Sequence, residues 1–258
     1  MFWLRFCGER CKSLGEISYA LGCEIERDDD GNGCTIDCKR KIIELLRRTG
    51  KENSSSVSTP IRPGSKLADD MAGTPITDRS AIKSYQSAVG LIIYIMRAAR
   101  PDLGHAAWYL ACGMSSPTVE MQGQLDHTLR FLNGSRDFVL HYTKNVCTPE
   151  LNLTSTVYTP SDIVGFSDAN FEPDKCTGGC FVMILNAAFY WRVKKLSGTQ
   201  LSTVQAELTT LSELARDVVS LHDMFDFVGI PHEKPTSIFC DNHGAIQNAK
   251  HPTYSEKL

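Results

Sequence analysis

Apolar residues recur at steps of three or four along Val204, Leu208, Leu211, Leu214, Val218, Leu221, Phe225 and Val228. That period predicts a long helix with one buried stripe. Leu14–Arg27 alternates in part and predicts a strand, which Asp28–Gly33 turns into a return strand at Cys34–Ile36. From Asp37 the period becomes helical, with Ile42, Ile43, Leu45 and Leu46 on one face and Gly50 as the stop. The stretch Lys51–Lys66, with NSSSVS, two prolines and a glycine, has the composition of a linker, and a boundary is expected there. Three helices are predicted next. Ala81–Ala99 stops before Pro101, Asp102–Gly113 follows, and the third starts with Ser116 as N-cap and Pro117 in its first turn, ending at Asn133-Gly134. Phe138–Tyr142 reads as a short strand and Thr143–Ser161 as a polar connector. Beyond it, Ile163–Asn170, Thr177–Leu185 and Ala188–Val193 read as strands, the last two joined by a tight turn at Asn186. After the long helix come a buried strand at Ser237–Cys240 and a helix opening at His243–Ala249. The order of elements predicts an α/β fold with a mixed sheet.

Bulk properties narrow the picture only a little. The 258 residues fit one large domain or two small ones, and 42% hydrophobic with 22% charged residues is ordinary for a folded chain. A net charge of −3 gives no basic footprint for nucleic acid, although bound cations would add local positive charge that this count ignores. Ten cysteines include three pairs at i, i+4: Cys7/Cys11, Cys34/Cys38 and Cys176/Cys180. None has zinc-finger spacing, so reduced thiols are expected, with Cys23, Cys112 and Cys240 inside apolar runs. MFWLRFC is too short for a signal peptide, and the apolar run Ala88–Met96 is well under the roughly 20 residues that span a bilayer. A soluble intracellular chain, cytoplasmic or nuclear, is the expectation.

The chemistry concentrates in three acidic motifs in fixed order: FSDAN with Asp168, VQAEL with Glu207 and FCDNH with Asp241. Three carboxylates held still are what a divalent-metal nuclease needs, because Mg²⁺ or Mn²⁺ prefers hard oxygen ligands and stabilises charge on attacking and leaving oxygens. Each motif also has a plainer reading. Glu207 lies roughly 40° from the direction of Leu211, at the margin of the apolar stripe, and equally suits a helix N-terminus, where the macrodipole favours anions. Asp168 sits in a largely apolar strand, where aspartate is depleted, yet it also suits a strand end. Asp241 precedes a helical run and suits an N-cap. Lys194 and Lys195 follow Trp191 and are candidates to touch a phosphate backbone, or simply a solvated strand end.

With those residues in view, the chain after about Cys11 resembles the C-terminal part of a copia-type retrotransposon Pol polyprotein. LGEISYALGCEIERDDDG and VSTPIRPGSKL resemble late reverse transcriptase and its connector. YQSAVGLIIYIMRAARPDLGHA and SSPTVEMQGQLDHTLRFLNGS resemble a helical tether. GFSDANF, CTGGCFVMI, LSTVQAELTTL and FCDNHGAIQNAKHP resemble successive ribonuclease H motifs. The resemblance implies a reverse-transcriptase remnant and linker (1–66), a helical tether (67–145) and a ribonuclease H-like mixed sheet with flanking helices (146–258). It implies Asp168, Glu207 and Asp241 as ligands of Mg²⁺ or Mn²⁺, an RNA–DNA hybrid as substrate, and the rest of the polyprotein as partner, with no membrane involved. Where the family pattern reads TEAEY, this chain has Val204, Gln205 and Leu208 around an intact Glu207. No YVDD-like polymerase motif is present, and HPTYSEKL resembles the start of a segment that in the family continues to a fourth acidic ligand. The expectation is therefore a C-terminally truncated domain with an incomplete two-ion site and weak or no activity. The alternative is a non-catalytic remnant of a decayed element, limited to nucleic-acid or protein binding.

Overall fold

The computed structural model describes residues 15–145, 163–171, 176–232 and 234–251. Among them are two four-stranded sheets and seven α-helices. The expected first strand is broken. Leu21 and Gly22 take φ of 49° and 76°, turning β1 (Tyr19–Ala20) into β2 (Cys23–Arg27). No glycine-polar pair announced this turn, and Leu21 occupies a left-handed conformation that a side chain disfavours. β2 pairs with β3 (Gly33–Asp37), and β3 with β4 (Leu140–Thr143), all antiparallel.

Helix α1 (Lys39–Thr49) ends where Gly50 adopts φ 65° and returns its N–H to the Arg47 and Leu46 carbonyls. After a short α2 (Leu67–Met71), α3 (Arg79–Ala99) starts on Asp78, whose carboxylate accepts from the Ala81 N–H. A 3₁₀ turn at Pro101–Leu103 leads into α4 (Gly104–Cys112). Helix α5 (Val119–Gly134) is capped by Thr118, not Ser116. Thr118 Oγ accepts from the Met121 N–H, so Pro117 lies outside the helix.

Ile42, Leu45 and Leu46 of α1 share one core with Tyr85, Val89, Ile92 and Ile95 of α3 and Leu125, Leu129 and Leu132 of α5. The serine-rich stretch between them is docked along α5. Arg130 Nε donates to the Ser55 carbonyl (2.9 Å), Asn133 Nδ2 to that of Ser54 (2.7 Å), and Thr128 Oγ1 to that of Pro60 (2.8 Å). A segment with linker composition is here a strap, because side chains of α5 satisfy its backbone.

The second sheet has the order β7-β6-β5-β8. β5 (Val164–Asn170), β6 (Thr177–Ile184) and β7 (Ala187–Lys195) form an antiparallel meander, and the β6–β7 turn puts Leu185 and Asn186 at positive φ. β8 (Ser237–Phe239) lies parallel to β5. It is a half-exposed edge among the described residues, not the buried strand its apolar composition predicts.

Helix α6 (Thr203–Val228) crosses one face, where Leu214, Val218 and Phe225 pack on Cys180, Val182 and Ile184. Helix α7 (His243–Lys250) follows, with Asn242 Oδ1 accepting from the Ala245 N–H. The second sheet is joined to the first and to α3 through backbone and side chains, the Thr143 N–H donating to the Leu185 carbonyl (3.0 Å). Trp191 Nε1 donates to the Met96 carbonyl (3.0 Å), and Tyr142 Oη to that of Ala188 (2.7 Å). The polar connector after Thr143 lies mostly outside the described residues, as do Cys7, Cys11 and Cys147; the described cysteines are free thiols. Among the described residues, no helix is long and apolar enough to cross a membrane.

Candidate metal centre

The site begins with two glycines. Asp168 and Ala169 of β5 lie opposite Gly179 and Gly178 of β6. A Cβ on Gly178 would lie 2.7 Å from Leu196 Cδ2 and 3.0 Å from Thr210 Cγ2, so its bare Cα lets α6 approach the sheet closely. That approach changes the expected helix face. Over the first three turns the buried residues are Ala206, Glu207, Thr210, Glu213 and Leu214, while Val204, Leu208 and Leu211 are only partly covered. Glu207 therefore lies within the buried stripe, 5% exposed, and not at its margin.

A buried carboxylate needs partners. Glu207 Oε1 accepts the Ala169 N–H (3.2 Å), and Cys240 Sγ–H points to Oε2 (3.8 Å). Burial raises the proton affinity of Glu207, and the nearby carboxylates of Asp168 and Asp241 raise it further. Ligand atoms of Glu207, Cys240 and Asp241 lie within 4.8 Å of one another, the one such trio found among the described residues. Asp168 is exposed on β5, immediately before the residue that binds Glu207, and outside that trio. Cys240 is legible in the sequence only as an apolar neighbour of Asp241; that its thiol meets Glu207 appears only in the fold. Burial pushes the Cys240 thiol up from its ordinary value, which keeps it protonated.

The lysine pair divides. Lys194 Nζ is tied to Glu213 Oε1 (2.8 Å), in a network where Arg192 Nη2 also reaches Glu213 (3.4 Å) and Asp217 (2.7 Å). Lys195 is exposed at the strand end. His243 opens α7 and is exposed.

The Pol polyprotein from transposon TNT 1-94 of Nicotiana tabacum is 26% identical to this chain over 245 residues, which is 94% of the chain and 18% of that protein. The Pol polyprotein from transposon RE1 of Arabidopsis thaliana is 28% identical over 251 residues, or 96% of the chain and 16% of that protein. The chain is homologous to a segment of retrotransposon Pol polyproteins. It spans under one fifth of the length of those two Pol relatives. A further relative, named secreted RxLR effector protein 161 of Plasmopara viticola, is 30% identical over 141 residues, covering 53% of this chain and 90% of that protein. No family model and no solved structure matches this Pol-related chain.

The donor set suits a hard divalent cation. Glu207 and Asp241 offer adjacent carboxylate oxygens, and a third carboxylate, Asp168, is near enough to act on Glu207 electrostatically. Mg²⁺ and Mn²⁺ take such oxygens, whereas a protonated thiol is a poor ligand for either.

Proposed function

We propose that this retrotransposon-derived Pol region carries a ribonuclease H-like site of copia type, hydrolysing RNA in RNA–DNA hybrids. The observation that carries the reading is the close approach of Glu207 of α6 and Asp241, between β8 and α7, with Asp168 of β5 near enough to act on Glu207 by charge. Residues 1–66 are assigned to a reverse-transcriptase remnant, 67–145 to a helical tether and 146–258 to the nuclease-like domain. The strap and shared core make the first two a single packed support.

Mg²⁺ or Mn²⁺, when bound, supplies the positive charge that stabilises the attacking and leaving oxygens. The chain's own part is to hold ligands in place. The Ala169 N–H orients the Glu207 carboxylate, and Ser167 Oγ, donating to the Phe239 carbonyl (3.4 Å), ties β5 to the strand that delivers Asp241. Mutual repulsion of the three carboxylates stores a demand for a cation. Lys195 is assigned to a backbone phosphate; Lys194, paired with Glu213, serves mainly to fix β7 on α6. Recognition of a hybrid would rest on backbone shape and the 2′-hydroxyl. The remainder of the Pol polyprotein is the proposed partner.

A second reading has one observation in its favour. Both Glu207 oxygens already have hydrogen-bonding neighbours, so a non-catalytic remnant would keep this geometry without an ion. Divalent-ion linkage separates the two. A nuclease-derived centre raises the melting temperature with Mg²⁺ or Mn²⁺, and Glu207→Gln removes that rise. RNA-strand cleavage of a hybrid, measured alongside, is expected to disappear in Asp168→Asn. Indifference of folded wild-type protein to both ions would overturn the nuclease reading.

A further inference from the structure

Two imidazoles at the far end of α6 lie well away from this centre in the sequence. His222 is buried on the helix, and the His232 side chain, which follows the helix, is only 2% exposed. Their rings are 4.7 Å apart and tilted by 34°, with Phe225 against the His232 ring. Each ring has one nitrogen engaged. His232 Nδ1 lies 3.0 Å from the Ile230 carbonyl, and His222 Nε2 lies 2.9 Å from Thr236 Oγ1. The other nitrogen of each ring, His222 Nδ1 and His232 Nε2, is buried without a hydrogen-bond partner. Such atoms are rare in folded proteins and call for an explanation.

The tautomer follows from the chemistry. A carbonyl oxygen only accepts, so His232 Nδ1 carries the proton and the neutral ring has a bare lone pair at Nε2. That atom lies 3.7 Å from Asp226 Oδ1, beyond hydrogen-bond reach. Thr236 Oγ1 can accept as well as donate, so His222 can hold its proton at Nε2, and in that tautomer His222 Nδ1 presents a lone pair as well. Asp226 is four residues after His222, hence on the same side of α6. Its other oxygen, Oδ2, is held by Lys234 Nζ at 2.7 Å.

The geometry points to a transition-metal site formed by His222 Nδ1, Asp226 Oδ1 and His232 Nε2, suited to Zn²⁺. Two imidazoles and one carboxylate are a borderline donor set that favours zinc over magnesium. Ligands of a tetrahedral zinc stand about 3.3 Å apart when the bonds are about 2.0–2.1 Å, and the His232–Asp226 gap of 3.7 Å lies close to that. Each ligand also has the outer partner that metal-bound groups use: Thr236 for His222, Ile230 for His232 and Lys234 for Asp226. Lys234 offsets part of the carboxylate charge, which weakens the site for hard cations held by charge alone. The three atoms are not all within 4.8 Å of one another; with His232 Nε2 and Asp226 Oδ1 only 3.7 Å apart, the wide gap is to His222 Nδ1, and an ion closes the site by drawing those two ligands towards it. Zinc would fasten the segment after α6 to the helix that carries Glu207.

The test uses the full chain carrying Glu207→Gln, which removes the thiol-bearing acidic cluster as a competing zinc site. Zinc sulfate is titrated calorimetrically into that protein and into versions also carrying His232→Gln or Asp226→Asn. One zinc per chain is expected, with affinity weakened at least about tenfold by either added substitution. Asp226→Asn alters an exposed side chain and leaves the packing intact, so it remains informative if His232→Gln unfolds. Ring-nitrogen NMR should show His222 Nδ1 and His232 Nε2 moving on zinc addition. No zinc uptake at micromolar concentration, uptake indifferent to Asp226→Asn, or unmoved ring nitrogens would each overturn the assignment.

Discussion

Glu207→Gln should make the metal-free protein more stable, the reverse of what removing a buried polar contact usually does. The cause is crowding of like charge. Glu207 and Asp241 oxygens lie within 4.8 Å, and at that limit two unit charges repel by about 3.5 kcal/mol at an effective dielectric of about 20. Exposure of Asp241 screens this to about half. The glutamine oxygen keeps the Ala169 N–H bond, but its NH₂ group replaces the acceptor facing Cys240, a loss of about 1 kcal/mol. The balance is a gain of about 1 kcal/mol, or about 2–4 °C in melting temperature for a chain this long. Differential scanning calorimetry in EDTA at neutral pH measures it. With Mn²⁺ present the order should invert, because only wild type gains from binding. A variant that melts below wild type in EDTA would refute the reasoning, since Glu207 would then act chiefly as a structural acceptor.

Other outcomes are equally concrete. Arg100→Met should cost about 3 kcal/mol in chemical denaturation, because the buried guanidinium binds both Asp102 oxygens (2.8 and 2.6 Å) and Ser135 O and Oγ (2.9 and 2.7 Å); a loss under about a third of that would show the network to be dispensable. Gly178→Ala should cost about 1–3 kcal/mol and lower divalent-ion affinity, since it pushes α6 and Glu207 off the sheet; unchanged denaturation midpoints would contradict the close approach. His127 has its proton affinity lowered by burial and by the cations of Arg62 and Arg130. The unfolded chain therefore takes up the proton first, so this contribution is complete above a pH of about 6.5 and is lost as pH falls through the folded value. His127→Gln should flatten the stability profile below that pH, and a profile identical to wild type would remove His127 as its source.

Local signals made much of the fold readable. Gly50, the Arg100-Pro101 step and Asn133-Gly134 mark helix ends by backbone chemistry that acts within a few residues, and the helices end there. Leu21-Gly22 was missed because its turn is imposed by strand pairing and not by a polar turn sequence. The face of α6 was misjudged for a related reason. Hydrophobic periodicity weighs Leu208 and Leu211 heavily, whereas the surface opposite holds Gly178, which small Ala206 and Thr210 fit better. The acidic residues were visible one at a time, yet the Ala169–Glu207 bond and the place of Cys240 arise only when β5, α6 and the end of β8 come together. Lys194 illustrates the same limit, since its partner Glu213 lies on another element. The His222–His232 pair left no trace in any periodic pattern.

The strap along α5 carries a mechanical implication. With its carbonyls fastened by Thr128, Arg130 and Asn133, the stretch cannot act as a hinge between the opening hairpin and the three-helix layer. Displacement of that hairpin would instead be passed through α3 to Trp191, whose indole grips Met96, and from there along β7 into the sheet bearing the carboxylates.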